Sequence, residues 1–525
     1  MAVTALLIVG LVSTAFAADF PLRGVTEAGR YRVELMPENG HAPIAEIHSW
    51  SVRLTTRDGE AFVPLRLGLS GRMPGHGHGM QTEPRVTRQR EDGAFVVEGM
   101  KFHMGGEWKL IVGVDGPVGM DTATFALKIA TGVDNINVSV PNWPAAELAL
   151  MQSLTLTQLK SRTDPSNRFS NNQAAAQLGR RLFFDKELSA EGDVACSTCH
   201  DPELAFTDGR KTSFGTAVTT RNAPTLIGAS HSRWFYWDGR RDSLWAQAIT
   251  PLESRGEMDN NRSDIVRLVA RKYAKEYAAI TGTALDEYIA RVPAGAGPYA
   301  DSNGKSSWDK MSATDRSKVN TAYANVGKFL AAYMETLQPE PSRFDAFVET
   351  MVADGYPAAK SSLSVDEQRG LKLFLDGART QCLRCHNGPL FTNYGFHNIA
   401  TGTDTDGIRD FGRMIGLQAA QIDPFNCLGD YSDATPDACS ELRFAQASHG
   451  VNGAFKVPGL RNVAETAPYM HDGRFATLEQ VVEFYTETPG PEAGRHELPP
   501  LNLSAEEVKQ LAAFLASLSS AMESD

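Results

Sequence analysis

The spacing of hydrophobic and polar residues along the chain changes once, near residue 140. Before that point, short runs alternate or are rich in β-branched and aromatic residues, as at 31–35 (YRVEL), 95–99 (FVVEG) and 108–112 (WKLIV). Turn signals of the Asp-Gly type separate these runs. Several short strands at this spacing predict an antiparallel β-sandwich over residues 19–140.

Beyond a predicted linker at 141–171, apolar residues recur at helical spacing. Helical stretches at 174–184 and 365–375 each lead through a loop into a Cys-x-x-Cys-His sequence, so one plan occurs twice. The fold class predicted is therefore multidomain, with two mainly α-helical domains, at 172–350 and 360–520, behind the sandwich.

Composition and net charge exclude only a few classes of function. The chain has 525 residues, of which 42% are apolar, and a net charge of −12, which argues against a nucleic-acid surface. Residues 1–17 are apolar and end in Ala-Phe-Ala, as in a secretory signal peptide. A buried strand is the alternative, because no Lys or Arg stands near the start. No other apolar run is long enough to cross a bilayer, so we expect an exported, periplasmic protein with no membrane span after signal removal.

The repeated Cys-x-x-Cys-His sequence is typical of c-type haem attachment. Its residues are Cys196, Cys199, His200, Cys382, Cys385 and His386. Two thiols add to the haem vinyl groups as thioethers, and the adjacent imidazole becomes an axial ligand of the iron. A zinc knuckle would gather four such ligands in one module, and a redox dithiol needs no His after each pair. Each helical domain is therefore predicted to be a cytochrome c-type domain with one covalent haem.

Two cysteines remain outside these motifs. Cys427 and Cys439 lie in a long Gly-, Asp- and Pro-rich loop at 393–454. In an oxidising compartment we expect them to form a disulfide that fastens this loop. Two free buried thiols would give the same sequence pattern.

The sandwich domain contains a candidate copper site. Residues 73–80 read MPGHGHGM, and His103-Met104 come from a later strand. The candidate ligands are Met73, His76, His78 and Met80. Imidazole and thioether groups together suit copper, and the stretch is similar to YtkA-like or FixH-like sandwich domains, which are often associated with copper proteins. A flexible Gly-rich loop or a docking surface is the alternative.

Several longer phrases accompany the haem motifs. They are LFFD at 182–185, RNAPT at 221–225, YWDGR at 236–240, VPGLRN at 457–462 and APYMHDG at 467–473. With these phrases, the chain from about 172 to 518 resembles the bacterial di-haem cytochrome c peroxidase and MauG family. The resemblance implies a haem peroxidase-type oxidoreductase that acts on hydrogen peroxide.

The resemblance assigns the peroxide-reacting role to the haem on His200. Some members fill the sixth position of that iron with a His from the following loop, where this chain has Thr216. Threonine is a poor iron ligand, so we expect an open, five-coordinate haem. Gln247 and Glu257 match the polar residues of the distal pocket, where a carboxylate serves as general acid–base. Without the resemblance, Glu257 would read as a solvated helix charge.

Other matched positions concern the space between the haems. Trp237 matches a tryptophan that relays electrons between them, although a core tryptophan would look the same. The resemblance also implies an inter-haem calcium ion held by Asn222, Thr466 and Pro468, whose oxygen atoms suit a hard cation.

For the second haem, on His386, the resemblance points to a distal ligand from a later helix. The register places Tyr485 there, as in MauG, and a tyrosinate stabilises ferric iron. Met470 is the alternative ligand, and a core aromatic is the structural alternative for Tyr485.

The favoured function is MauG-like: peroxide reacts at the first haem, and oxidising equivalents pass through the second to a redox partner or a protein substrate. Members that mature methylamine dehydrogenase carry a Trp just before the second motif, where this chain has ARTQ at 378–381, so that substrate is not assumed. The alternatives are a cytochrome c peroxidase fed by a cytochrome or cupredoxin, a non-enzymatic dihaem electron-transfer protein and, further off, a di-haem oxygenase.

Overall fold

The computed structural model describes residues 20–40, 42–43, 46–74, 78–103, 106–129, 143–354, 361–403, 407–446, 451–486 and 500–520. The predicted signal peptide lies outside these residues, as do His76 and Met104. Across the described part of the chain, no helix combines the length and apolar character needed to cross a bilayer.

Two antiparallel sheets enclose the core of the N-terminal domain. Their strands are β1 Leu22–Val25, β2 Tyr31–Pro37, β3 His48–Thr56, β4 Arg66–Met73, β5 His78–Gly79, β6 Arg85–Gln89, β7 Phe95–Met100, β8 Gly106–Gly116 and β9 Gly119–Ile129. One sheet has the order β1-β2-β3-β7-β6 and the other β5-β4-β8-β9. Tyr31, Val33 and Leu35 alternate with more exposed residues along β2 and are buried in a core shared by both sheets. The predicted antiparallel sandwich is confirmed.

Helices dominate the remainder of the described chain. They are α1 Ala145–Ser153, α2 Gln173–Phe183, α3 Cys196–Cys199, α4 Leu244–Glu253, α5 Arg262–Lys272, α6 Ala274–Thr281, α7 Ser302–Lys310, α8 Ala313–Met334, α9 Arg343–Asp354, α10 Val365–Leu375, α11 Arg413–Ile422, α12 Ser440–Arg443, α13 Leu478–Thr486 and α14 Ala505–Ala516. A small ribbon of β10 Phe396–His397 and β11 Phe455–Lys456 lies among them. The predicted helical fold class is confirmed.

The helix before each haem motif crosses a partner helix at a glycine. In the first half α2 packs on α8, and a Cβ atom at Gly179 would stand 1.9 Å from the carbonyl oxygen of Phe329. In the second half α10 packs on α14, and a Cβ atom at Gly370 would stand 1.9 Å from the carbonyl oxygen of Gln510. Only glycine allows backbones to approach this closely. The repeat seen in the sequence is thus a repeat of helix packing.

The predicted linker is not a free connection. Its helix α1 packs with α9 in the core of the second half, where Met151 and Phe347 are buried together. Glu147 of α1 forms a buried ion pair with Lys372 of α10. Helix α9, which the sequence placed at the end of the first domain, therefore belongs to the second core. Helical periodicity identifies a helix but not the core that it joins.

The long loop at 393–454 lies against the β-sandwich. The predicted disulfide between Cys427 and Cys439 is present in it. Thr82 and Ala445 form an antiparallel bridge between the domains. Nearby, the Lys101 ammonium contacts the Glu441 carboxylate at 2.9 Å, and the Lys101 side chain is only 6% exposed. The loop, whose role the sequence left open, is the docking surface for the N-terminal domain.

Candidate active site

The first Cys-x-x-Cys-His motif presents its histidine as a neutral ligand. Helix α3 carries both thiols, and His200 follows it directly. The Nδ1 of His200 donates to the carbonyl oxygen of Phe206 at 3.0 Å, and Phe206 adopts a left-handed φ of 57°. Burial lowers the pKa of His200. With the proton on Nδ1, Nε2 keeps the lone pair that iron requires.

The second motif repeats this arrangement. The Nδ1 of His386 donates to the carbonyl oxygen of Phe391 at 2.9 Å, and Phe391 has a φ of 53°. Burial lowers the pKa of His386 to about 4, so its imidazole is neutral. At both sites a phenylalanine in an uncommon backbone conformation aims its carbonyl oxygen at the histidine and orients the ring.

The four cysteines of the two motifs are not arranged as a zinc site within the described residues. They form no disulfide, and burial raises the pKa of Cys196 to about 12 and of Cys199 and Cys382 to about 11. Among the described residues, no group of three or more His, Cys, Asp or Glu side chains is arranged to hold a metal ion.

One continuous cavity of about 620 Å³ joins the two motifs. Its wall includes Cys199 and His200 from the first motif and Cys382, Cys385 and His386 from the second, and it is mostly apolar. Cys196 lines a small second pocket together with Cys199 and His200. Thiols and a neutral imidazole from each motif, set along an apolar cavity, fit two covalently attached haems.

The predicted acid–base pair lies at the first end of this cavity. Gln247 of α4 and Glu257 in the loop after it both line the wall. The loop carrying Thr216 is laid across that segment: the Thr216 N–H donates to the Glu257 carbonyl oxygen at 2.9 Å, and its hydroxyl donates to the Arg255 carbonyl oxygen at 2.5 Å. A Cβ atom at Gly215 would stand 2.3 Å from the Glu257 carbonyl oxygen. Thr216 is thus engaged with backbone rather than with the cavity.

Tyr236 is a neighbouring residue that the sequence reasoning missed. Its hydroxyl oxygen is buried beside the side chain of Gln247, and the Arg240 guanidinium lies 3.4 Å from the centroid of its ring. Burial raises the pKa of Tyr236 to about 12, and the Glu257 charge adds to the shift. In the sequence, the only feature that pointed to Tyr236 was its position as the first residue of the YWDGR phrase. Its phenol stays protonated beside the acid–base pair.

Trp237 lines the same cavity and is fixed by one hydrogen bond. Its Nε1 donates to the carbonyl oxygen of Asn222 at 2.9 Å. Asn222 in turn donates its side-chain amide to the Arg210 carbonyl oxygen at 2.8 Å. The predicted calcium ligands Asn222, Thr466 and Pro468 all belong to this wall. The structure therefore brings the predicted relay tryptophan and the predicted cation ligands to one cavity.

At the second end, both candidate distal ligands are present. Tyr485 of α13 lines the cavity, and burial together with the nearby Cys385 and Cys382 raises its pKa. Met470 lines the cavity as well and has a left-handed φ of 72°. Tyr485 therefore lies close to the second motif, and Met470 stays the alternative candidate for the distal ligand.

The described residues cover only part of the predicted copper site. Met73 and Met80 are buried in the sandwich core, with exposed fractions of 1% and 5%. His78 lies on β5, and His76 lies outside the described residues. His103 is buried at the edge of the same core. Copper binding stays a prediction.

Comparison with known proteins gives one family. A family model described as di-haem cytochrome c peroxidase matches residues 173–352. The cytochrome-c peroxidase IdrP2 of Denitromonas iodatirespirans is 30% identical over 353 residues, which are 67% of this chain and 83% of the relative. The methylamine utilization protein MauG of Methylorubrum extorquens is 29% identical over 344 residues, covering 65% and 77%.

Two solved structures are also similar. The diheme peroxidase BthA from Burkholderia thailandensis is 24% identical with a TM-score of 0.48, covering 69% of this chain and 90% of that one. A MauG-like protein associated with microbial copper homeostasis is 26% identical with a TM-score of 0.43, covering 69% and 94%.

Proposed function

Because the chain belongs to the di-haem cytochrome c peroxidase family, we propose that it consumes hydrogen peroxide in the manner of MauG, starting from its fully oxidised state. The family makes the protein a haem peroxidase-type oxidoreductase with haem c as cofactor and hydrogen peroxide as substrate. That membership sets aside the alternative of a non-enzymatic electron-transfer protein. Within this chemistry, the two ends of the cavity have different tasks.

The observation that carries the proposal is the polar first end of the cavity. Gln247 and Glu257 line it, while the hydroxyl of Thr216 is occupied by the Arg255 carbonyl oxygen. His200 would hold a haem here, and that haem would supply the iron at which peroxide reacts. Glu257 then takes the proton from one peroxide oxygen and delivers it to the leaving oxygen. Gln247 orients the peroxide by hydrogen bonding.

The second end serves storage and transfer of oxidising equivalents. Tyr485 would bind the iron of a haem at this end, and a tyrosinate would favour the ferric state and lower the reduction potential. Trp237, oriented through its bond to Asn222, relays electrons between the two ends. The final electron donor is a redox protein or an oxidisable protein side chain.

The proposal also includes a calcium ion, copper in the β-domain and export to the periplasm. The carbonyl and amide oxygens of Asn222, Thr466 and Pro468 suit an inter-haem calcium ion. Copper in the β-domain rests on the residue types at 73–80. Export to the periplasm is supported by the disulfide in the long loop together with the haem motifs.

The test is low-temperature EPR of the diferric holoprotein and of Tyr485→Phe, before and after one equivalent of peroxide. We expect a high-spin signal from the first haem beside a low-spin signal that changes in the variant, with both altered by peroxide. Two low-spin signals, with peroxide reactivity appearing only after partial reduction, would contradict the proposal. That result would support the cytochrome c peroxidase alternative.

A further inference from the structure

The β-domain is hydrogen-bonded to the second haem motif through one residue, Asn393. Its backbone N–H donates to the carbonyl oxygen of Cys385 at 2.8 Å. Its side-chain Nδ2 donates to the carbonyl oxygen of His103 in the β-domain at 2.7 Å. Asn393 is itself only 1% exposed. A thioether-forming cysteine is thus linked to a sandwich residue through the backbone and side chain of a single asparagine.

Aromatic rings continue from this junction into the sandwich. His397 lines the haem cavity, and its ring centroid lies 5.4 Å from that of His103. The His103 ring lies 5.2 Å from Trp108 of β8. The three side chains are buried, with exposed fractions of 3%, 1% and 1% in that order. The row His397–His103–Trp108 therefore runs from the cavity wall to an easily oxidised indole that is shielded from solvent.

From this row we propose that the β-domain is a redox extension of the second haem site, with Trp108 as its electron donor. The inference rests on the proposed function, which supplies the oxidising equivalents. In each step, Trp108 loses one electron toward the second haem site, one oxidising equivalent there is consumed, and the indole keeps its proton. Two such electrons and two protons complete the reduction of one hydrogen peroxide to two waters. A one-electron reductant outside the protein then refills Trp108.

Ion pairs also join the β-domain to the helical part of the chain. The carboxylate of Glu441 contacts both Lys101 of the β-domain at 2.9 Å and Arg233 of the first half at 2.7 Å. The surrounding charges hold the pKa of Glu441 at about 2, led by Lys101, and this outweighs the opposing effect of burial. Glu441 therefore stays ionised and paired at any working pH.

The test uses the full-length holoprotein, one equivalent of peroxide and no reductant. The decay of the peroxide-oxidised state is followed by haem absorption, and oxidised tryptophans are located by peptide mass spectrometry. We expect Trp108→Phe to lengthen the lifetime of this state severalfold while its formation rate is unchanged. In the wild-type protein, where no reductant refills it, Trp108 should lose two electrons and two protons in all and take up one oxygen atom from water, despite its burial. Trp308→Phe, a control at a tryptophan that is 6% exposed and away from the row, should behave as wild type.

A second variant tests the same relay in case Trp108→Phe does not fold. His103→Leu keeps the backbone carbonyl that Asn393 binds but removes the ring, and it should reduce oxidation of Trp108 severalfold. Unchanged lifetime in Trp108→Phe together with no oxidation of Trp108 in wild type would overturn the relay alone. If the diferric protein does not react with peroxide, the proposed function fails, and the same comparison on one-electron-reduced protein decides the relay. No reaction in either state would overturn both.

Discussion

The two haem-binding halves are built alike around their histidines and differ in the residues that complete the cavity. In both, a histidine donates through Nδ1 to a phenylalanine with positive φ, and the helix before the motif crosses its partner at a glycine. In both, an Asp-Gly-Arg turn is closed by an antiparallel bridge, Phe235 with Arg241 and Tyr469 with Phe475. The shared parts are those that seat a c-type haem.

The difference appears when these turns are matched residue by residue. Gln247 of the first half then corresponds to Val481 of the second, and Tyr236 corresponds to Met470. Tyr485 takes the place that Pro251 holds in the first half, and all of these side chains line the cavity. One scaffold thus presents a polar end and an end that carries the proposed iron ligand. The two halves differ at side chains that face the cavity.

The largest effect is expected from removing the carboxylate of the polar end. Glu257→Gln should lower the second-order rate constant for peroxide by about 100-fold or more, as general acid–base groups contribute roughly 10²–10⁴-fold. Stopped-flow absorption measures this constant. Glu203→Gln, at an exposed carboxylate just after the same haem motif, is the control and should react as wild type. A Glu257→Gln rate close to wild type would show that another group moves the proton.

The ligand end is tested by its reduction potential. Tyr485→Phe should raise the potential of the second haem by about 100 mV or more, since axial ligands span roughly 0.8 V. The removal of a tyrosinate destabilises the ferric state, which gives the sign. Spectroelectrochemistry measures the shift. Met470→Leu should leave the potential unchanged, and the opposite pattern would make Met470 the ligand.

The shared scaffold is tested at its two glycines. Gly179→Ala and Gly370→Ala should each destabilise the protein by about 1–3 kcal/mol or more, because the added methyl group meets a carbonyl oxygen of the facing helix. The midpoint of chemical unfolding measures the loss. Gly68→Ala is the control, as no atom of the described residues lies within 4 Å of the added Cβ. A harmless change at one glycine only would show that the two crossings are not equivalent.

The smallest effect concerns a buried acid that only the first half has. Burial raises the pKa of Asp242 from 3.8 to about 7, its Oδ1 has no partner in the described part of the chain, and the matching residue of the second half is Ala476. Its raised pKa contributes stability that is present at low pH and is lost as the pH rises through about 7. Asp242→Asn should therefore be more stable than wild type, by about 1 kcal/mol or more, at about pH 8.

At about pH 5 this difference should shrink, because Asp242 is then protonated in the folded protein. Thermal unfolding of both proteins at the two pH values measures it. A constant difference would contradict the shifted pKa.

The sequence predicts the parts of this molecule that depend on local spacing. Alternation gives the strands Tyr31–Pro37 and Phe95–Met100, and helical periodicity gives Val365–Leu375. The haem motifs and the position of Gln247 follow from fixed phrases. Contacts between segments that are distant in the chain cannot be predicted from local spacing. Helix α1 joins the second core through the pairing of Glu147 with Lys372, two residues far apart in the chain.

The same limit applies to the candidate site. The phrase YWDGR identifies Trp237, but the burial of the Tyr236 hydroxyl depends on elements that fold around it. The methionines Met73 and Met80 look like metal ligands in sequence, and in the structure their side chains also pack in the apolar core of the sandwich. Residue type alone does not distinguish a thioether ligand from a core side chain, because Met serves both uses.

The docking of the β-sandwich on the loop at 393–454 has a consequence for biosynthesis. Lys101 and its partner Glu441 are 340 positions apart, so the sandwich is complete long before its docking surface has been translated. During that interval the backbone of Thr82 and Glu83 lacks the partners that Ala445 and Phe444 later provide. Unpaired backbone groups of this kind can pair with other chains. This short segment of the sandwich is therefore open to such pairing until the long loop has been made.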